Sequence, residues 1–492
     1  MTDYTPAPLD PEWLAMREEL HAQYESMVGL DDASRLGFLY GENRVWTDEQ
    51  IAEVWREAAN NEDRRKDAIN HVYVHVPYCK SICSFCNYQR LRPTRADEME
   101  RYVERILHSL NTIAPAVEPM RWHTLYFGGG TPSTLPAHQL RRIVSALDER
   151  LRWHPDSTRF FEFDPAVFNK AKLDVLLEAG FEHFSFGVQT LQADVNADHN
   201  RGAQSADMVQ RRFEELQGAG VFNISCDFLL GLLGTTPEQI LQEIDEVLAL
   251  RPRWVDLFFL TPTDAYVNSH FGGDREAFWK HIKPFHDMVP DMARTVAARR
   301  GYRMRRGHGH NIILYRAMQA HERTKKNGIF SYTQLVDQQR RPLHLLGFGV
   351  SARNKIFGEA TFECADPEDV LDPGGVNHWV GNHHGMEGEV RKFLAHFMRD
   401  NHRINREMFQ RIFQVDITEA IPGPLSAWVA NDVARVLPEE VQFRKQGRRD
   451  RTRTLLWMVP DAQITWEVQR YLRNQEAQQR KREADARRES HA

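Results

Sequence analysis

The chain has 492 residues, 41% of them hydrophobic and 27% charged, and a formal net charge of −6. That composition fits a globular protein of about two to four domains, or one large barrel with additions, and gives no reason to expect a nucleic-acid partner. No apolar run is long enough to span a bilayer, and Met1-Thr2-Asp3-Tyr4 lacks the basic and apolar regions of a secretion signal, so a cytoplasmic protein without membrane contact is expected.

Residues 1–70 read as a helical extension and linker. Trp13, Leu14, Leu20, Tyr24 and Met27 recur near helical spacing, and Thr47 with Gln50 forms a capping box ahead of Ile51, Val54 and Trp55. The polar run from Asn60 to Asp67 is the linker, and the extension is expected to pack on the domain that follows.

The β-branched run His71-Val72-Tyr73-Val74-His75-Val76 predicts a strand. Directly after it, Cys79, Cys83 and Cys86 are spaced C-x3-C-x2-C, and the whole chain has only five cysteines. Thiolates hold iron–sulfur clusters, and a cubane takes four ligands, so three from one loop leave an iron open to a small molecule. A structural zinc site wants four ligands, and His75 is set apart from the loop by strand alternation. A disulfide framework does not suit an odd cysteine count in a chain this long. Sparse cysteine suits a reducing compartment.

Further strands are expected at Thr124–Phe127, Phe160–Phe163, His183–Val188, Asn223–Leu229 and Val255–Leu260. Helices are expected at Asp97–Leu110, Leu140–Leu151, Lys172–Ala179, Asp207–Gly218 and Pro237–Leu250. Six repeats of strand then helix predict an α/β fold with parallel strands and right-handed crossovers, closing as a partial (β/α)6 TIM-like barrel. In such barrels the chemistry lies at the C-terminal strand ends, where the cysteine loop falls.

Beyond Pro262 the pattern weakens. Gly301-Tyr302-Arg303-Met304 begins another strand, and Leu345 to Ala352 reads as a glycine-bearing apolar turn. The barrel and its extension are assigned to 71–355, a loop to 356–389, a mostly helical, winged-helix-like domain to 390–473, and a charged tail to 474–492. Thr454 to Val459 is expected to be a strand of the winged element, and the basic run Arg444 to Arg453 a solvated loop.

Several stretches fall at strand ends around the cysteines. Gly128-Gly129-Gly130-Thr131 lets backbone approach a ligand. Glu162, Gln189, Arg201 and Asp227 follow in order. Together they match the needs of an amino-acid nucleoside: arginine for its carboxylate, glutamate for its ammonium, glutamine and aspartate for its ribose hydroxyls.

The C-x3-C-x2-C loop resembles that of the radical S-adenosylmethionine superfamily. Tyr73 to Cys79, Gly128 to Pro132, Gly187-Val188-Gln189, Asn200-Arg201, Asp227 to Gly231 and Gly347 to Ala352 together resemble its oxygen-independent coproporphyrinogen III oxidase-like family, over roughly residues 71–355. The resemblance implies a 4Fe-4S cluster on Cys79, Cys83 and Cys86 and S-adenosylmethionine as the cofactor. Tyr73 and Phe85 would line the nucleoside site, and Gly129, Gly130 and Thr131 would form the methionine-binding turn. Glu162 would meet the ammonium, Gln189 and Asp227 the ribose, Arg201 the carboxylate, and Thr261 the adenine side. The implied reaction is reductive cleavage of S-adenosylmethionine to a 5′-deoxyadenosyl radical that takes hydrogen from a small-molecule substrate. Flavodoxin or ferredoxin is the implied kind of electron donor.

Three departures bear on the substrate. Tyr88 stands where coproporphyrinogen oxidases carry a fourth cysteine, residues 1–70 lack their tyrosine-rich N-terminal segment, and Arg353 stands at a usually apolar position. The expected outcome is therefore C–H functionalisation or methyl transfer, the latter with a second S-adenosylmethionine. The alternatives are oxidative decarboxylation of coproporphyrinogen III and a haem-binding chaperone. For the chaperone, His308, His310, His378, His383 and His384 are the available imidazoles, expected as surface loop residues.

Overall fold

In a computed structural model of the chain, the described residues are 4–15, 17–19, 44–62, 68–88, 90–93, 95, 97–202, 204–306, 311–322, 341–364, 379–400, 403–444 and 457–458. The six expected strands are present as β2 (Ile69–Val76), β3 (Trp122–Gly129), β4 (Trp153–Phe163), β5 (His183–Gln189), β6 (Asn223–Leu230) and β7 (Trp254–Phe259). They lie side by side in sequence order, all parallel. The five expected helices fill the crossovers at Glu98–Ile113, Ala137–Arg150, Lys170–Glu178, Ala206–Gly218 and Pro237–Ala249. Their apolar faces join the strands in one core, which includes Tyr102, Ile106, Leu140, Leu147, Leu176, Phe213, Ile244 and Leu248.

Four expectations change. Leu343–Phe348 is a strand, β10, not a turn, and it runs parallel to β2 on the side away from β3. It is buried throughout, and Asn354 bonds the N–H (3.3 Å) and carbonyl (3.2 Å) of Gly347. Second, β4 begins at Trp153, ahead of its apolar half, because Trp153 pairs with Trp122 across a bulge. Third, the stretch expected as a loop at 356–389 carries strands. β11 (Arg353–Ile356), β12 (Ala360–Cys364) and β13 (Trp379–His383) extend the sheet antiparallel from β10. A helix then starts at Gly385. Fourth, the N-terminal extension includes a strand, β1 (Arg44–Trp46), paired with β13. At the opposite edge, β8 (Arg303–Arg306) and β9 (Ile312–Tyr315) pair antiparallel beside β7.

The capping box forms as expected at Thr47 and Gln50, and helix Asp48–Asn60 buries Ile51, Val54 and Trp55 in the main core. Asp48 is fully buried and accepts from Ser109 Oγ (2.9 Å) and Trp379 Nε1 (2.7 Å), tying three segments together. A second core, built from Phe357, Leu394, Phe409, Phe413, Leu425 and Trp428, underlies the C-terminal helices and a small sheet. That sheet comprises β14 (Arg403–Asn405), β15 (Ala434–Val436) and β16 (Glu440–Phe443). Tyr4, Leu9 and Trp13 pack on this second core, so the extension touches both. The expected strand at Thr454 to Val459 falls outside the described residues except for Trp457 and Met458, which form a turn. Leu20, Tyr24, Met27, Lys445 to Arg453 and the tail also lie outside them. No helix among the described residues is long and apolar enough to cross a membrane.

Candidate functional site

Pro77 ends β2, and the chain then leaves the sheet in a loop that closes on itself. Cys79 N–H donates to the Leu91 carbonyl (2.9 Å) and Leu91 N–H to the Pro77 carbonyl (2.7 Å). Cys79, Cys83 and Cys86 are each partly exposed and carry free thiols. Cys86 N–H donates to the Cys83 carbonyl at 3.2 Å.

The end of β3 lies against this loop, and glycine makes that possible. A Cβ on Gly130 would sit 2.6 Å from the Pro77 carbonyl and 3.0 Å from Cys79 Sγ. Gly129 has φ +117°, and a Cβ there would sit 2.7 Å from His75 Nε2. Thr131 Oγ1 is 3.4 Å from Cys79 Sγ and donates to the Gly130 carbonyl (2.8 Å).

Glu162 accepts from the Tyr126 hydroxyl at 2.5 Å. Burial pushes its pKa up, against the bonds from Tyr126 and the Gly129 N–H. Gln189 closes β5 in the left-handed region, at φ +64°, where a register shift separates it from Gly187. Arg201 Nη2 donates to the Gly187 carbonyl (2.5 Å), and Nη1 lies 3.8 Å from Cys83 Sγ. Its Nε is buried without a partner among the described residues. Asp227 pairs in register with Gly187. Gln189, Arg201 and Asp227 thus converge on one backbone position beside the cysteine loop.

Tyr73 donates to or accepts from His75 Nδ1 (3.1 Å) and clusters with Tyr126, Phe160, Leu345 and Ala352. Phe85 packs near His199 and against the cluster of Val195, Leu232, Leu260 and Tyr266. Thr261 stands exposed past the end of β7, its carbonyl accepting from Thr263 N–H (2.8 Å). Among the described residues, no hydrogen bond joins Thr261 to Gln189, Arg201 or Asp227.

Two residues escaped the sequence reading. Asp256 on β7 is in register with Asp227. Burial first, and for Asp227 then the charge of Asp256, raise both above the usual carboxylate range, Asp256 to about 7. A carboxylate inside Trp254-Val255-Asp256-Leu257-Phe258 is the same signal that singled out Asp227. The second is Tyr126, whose hydroxyl holds Glu162. Tyr88 is crowded by neighbouring atoms yet 65% exposed. That crowding, then the charges of Glu162, Asp227 and Cys86, raises its pKa.

The thiols fit an iron–sulfur group. Burial pushes Cys79 up to about 11, with the neighbouring Cys86 and Cys83 adding to it, and burial likewise raises Cys83 against the pull of Arg201. A cationic metal centre would favour the thiolate forms of Cys79 and Cys83 against that burial. Among the described residues no trio of His, Cys, Asp or Glu closes on a single metal ion. Of the histidines considered for haem, His383 lies 3.4 Å from Glu359. His384 is buried, not on the surface, between Thr361 Oγ1 (3.1 Å) and the Gly385 carbonyl (2.9 Å). His308, His310 and His378 lie outside the described residues.

Residues 73–247 match the family model of the radical SAM superfamily. An oxygen-independent coproporphyrinogen III oxidase of Paracoccus denitrificans is 31% identical over 189 residues, 38% of this chain and 42% of that protein. The heme chaperone HemW of Bacillus subtilis is 33% identical over 181 residues, 36% of this chain and 47% of the chaperone. Each alignment thus spans less than half of the curated relative. Among solved structures, coproporphyrinogen III oxidase from Escherichia coli superposes with a TM-score of 0.62 at 19% identity, covering 82% of this chain and 93% of that one. That likeness establishes the shared fold.

Proposed function

We propose, from the match of residues 73–247 to the radical SAM superfamily model, that the chain is a cytoplasmic radical S-adenosylmethionine enzyme that abstracts hydrogen from a small organic substrate, for C–H functionalisation or methyl transfer. The observation that carries this reading is the convergence of Gln189, Arg201 and Asp227 on Gly187, with Arg201 Nη1 3.8 Å from Cys83 Sγ.

Cys79, Cys83 and Cys86 would hold the 4Fe-4S cluster. Bound together, the reduced cluster and S-adenosylmethionine supply a 5′-deoxyadenosyl radical, the hard part of the chemistry. The chain's own residues bind and orient. Arg201, its Nε still to be satisfied, pairs with the amino-acid carboxylate. Glu162, fixed by Tyr126, meets the ammonium. Gln189 and Asp227 take the ribose hydroxyls. Tyr73, Tyr126 and Phe160 supply an apolar wall that excludes water. A one-electron carrier such as flavodoxin or ferredoxin would deliver the electron.

The relatives' names support a second reading, oxidative decarboxylation of a porphyrinogen. Tyr88 favours the first: a phenol, not a thiol, follows the third cysteine by two positions, close enough to feel the charges of Glu162 and Asp227. The heme chaperone relative supports a third, haem binding, which a Soret band on adding haem to the anaerobic protein would detect. The test of the main reading is dithionite-reduced, reconstituted protein with S-adenosylmethionine. Equal amounts of methionine and 5′-deoxyadenosine are expected; intact S-adenosylmethionine after prolonged reduction defeats it.

A further inference from the structure

Ser84 lies between Cys83 and Phe85, and its side chain is held from two sides. Its hydroxyl is 3.0 Å from His199 Nδ1 and 2.8 Å from His270 Nε2. Its backbone N–H also donates to the His199 carbonyl, at 3.1 Å. Neither histidine is held loosely. His199 is buried, and its Nε2 lies 3.0 Å from the Leu233 carbonyl. The Leu233 N–H donates to the Tyr266 hydroxyl, also at 3.0 Å. The rings of Tyr266, His199 and His270 pack together, with centroids 4.5–5.6 Å apart.

These contacts fix the direction of every hydrogen bond. A nitrogen facing a carbonyl oxygen must carry hydrogen, so His199 donates through Nε2 and accepts at Nδ1. Ser84 therefore donates to His199, which leaves its oxygen lone pairs to accept from His270 Nε2–H. Burial lowers both imidazole pKa values, which keeps the rings neutral as this pattern requires. The chain of donors is closed: His270 to Ser84, Ser84 to His199, His199 to Leu233.

The three anchored segments matter because of what else they carry. His199 stands two residues before Arg201. His270 lies on the helix Asp264–Phe271, which follows Thr261. Phe85 packs into the same apolar cluster as Tyr266. We propose that Ser84, His199 and His270 are positioning residues that lock the Cys83–Cys86 half of the cysteine loop to the Arg201 segment, so that the thiols are set before the inorganic group arrives and retain it afterwards. This rests on the cluster reading above. Outer partners of metal ligands act in this way generally, and their loss weakens metal retention by about tenfold to a hundredfold.

The test measures iron release from anaerobically reconstituted full-length protein to a ferrous chelator, for wild type, Ser84→Ala, Ser84→Thr and His270→Ala. Ser84→Ala and His270→Ala should lose iron about tenfold to a hundredfold faster than wild type, while Ser84→Thr, which keeps the hydroxyl, should stay near it. His270 is only half-buried, so its alanine variant remains informative if Ser84→Ala fails to fold. Equal release from wild type and His270→Ala, or no rescue by Ser84→Thr, overturns the proposal. Amide hydrogen exchange of the iron-free chain separates it from the reading beneath it. If wild type takes up no iron, the cluster reading fails, yet His270→Ala should still speed exchange at the Ser84 amide. Unchanged exchange there defeats the clamp itself.

Discussion

Asp227 and Asp256 occupy matching positions on the neighbouring parallel strands β6 and β7, two carboxylates facing one site. Placing both charges in a buried setting is unfavourable, so one proton stays with the pair well into the neutral range. Asp256, pushed up to about 7, is the member whose removal should leave the ribose-binding role of Asp227 intact.

Stability across pH tests that relationship. A carboxyl raised in the folded state binds a proton that the unfolded chain has already released. Its cost therefore grows as pH rises from the ordinary aspartate range to about 7, and is fully present above that. Asp256→Asn should be more stable than wild type by about 1–3 kcal/mol at pH 8, and nearly equal to it at pH 4. Urea denaturation at the two pH values measures the difference; an equal effect at both contradicts the shared-proton account.

Arg201→Ala should weaken S-adenosylmethionine binding by about 1.5–3 kcal/mol, the range for hydrogen bonds to a charged group. Asp227→Ala should act similarly through the ribose. Calorimetric titration of the reconstituted protein checks both, and unchanged affinity in the two variants removes the strand-end assignments.

Asp48 joins helix Asp48–Asn60 to Ser109 and to Trp379 on β13. Asp48→Ala should leave the Trp379 indole N–H without its acceptor in the core and cost about 1.5–3 kcal/mol of unfolding free energy. A shift within 0.3 kcal/mol, taken as roughly the scatter of additive surface effects, would show that β1 and β13 do not depend on this joint.

Tyr88 bears on the substrate. Reduced protein with S-adenosylmethionine should cleave the cofactor without converting coproporphyrinogen III to protoporphyrinogen IX. If the reaction is methyl transfer, methyl-labelled S-adenosylmethionine should leave label in the product, with S-adenosylhomocysteine beside 5′-deoxyadenosine. Loss of two carboxyl groups as carbon dioxide, in step with cofactor cleavage, would promote oxidative decarboxylation instead.

The β2–β7 strands were readable because each is a short apolar run between turn residues and an amphipathic helix. β10 was not, because Gly347 and Gly349 make its end resemble a turn. Gly347 pairs with Tyr73 and is bonded on both backbone groups by Asn354, contacts that no local pattern reveals. The strands within 356–389 are short antiparallel pieces whose partners are distant in sequence: β13 meets β1 across more than three hundred residues. At the site, residues that announce themselves as charges in apolar strands were found, except Asp256. Ser84, His199 and His270 were illegible, since a serine and two scattered histidines acquire meaning only when the fold brings both imidazoles within 3.0 Å of the serine hydroxyl.

The central claim is that Cys79, Cys83 and Cys86 together hold a cluster that reacts with S-adenosylmethionine. The direct measurement is iron content and 5′-deoxyadenosine yield after anaerobic reconstitution, for wild type, Cys83→Ala and Cys226→Ala. Wild type and Cys226→Ala should each carry about four irons and yield 5′-deoxyadenosine under dithionite, since Cys226 is buried in the main core, while Cys83→Ala should yield none. A normal 5′-deoxyadenosine yield from Cys83→Ala would contradict the account.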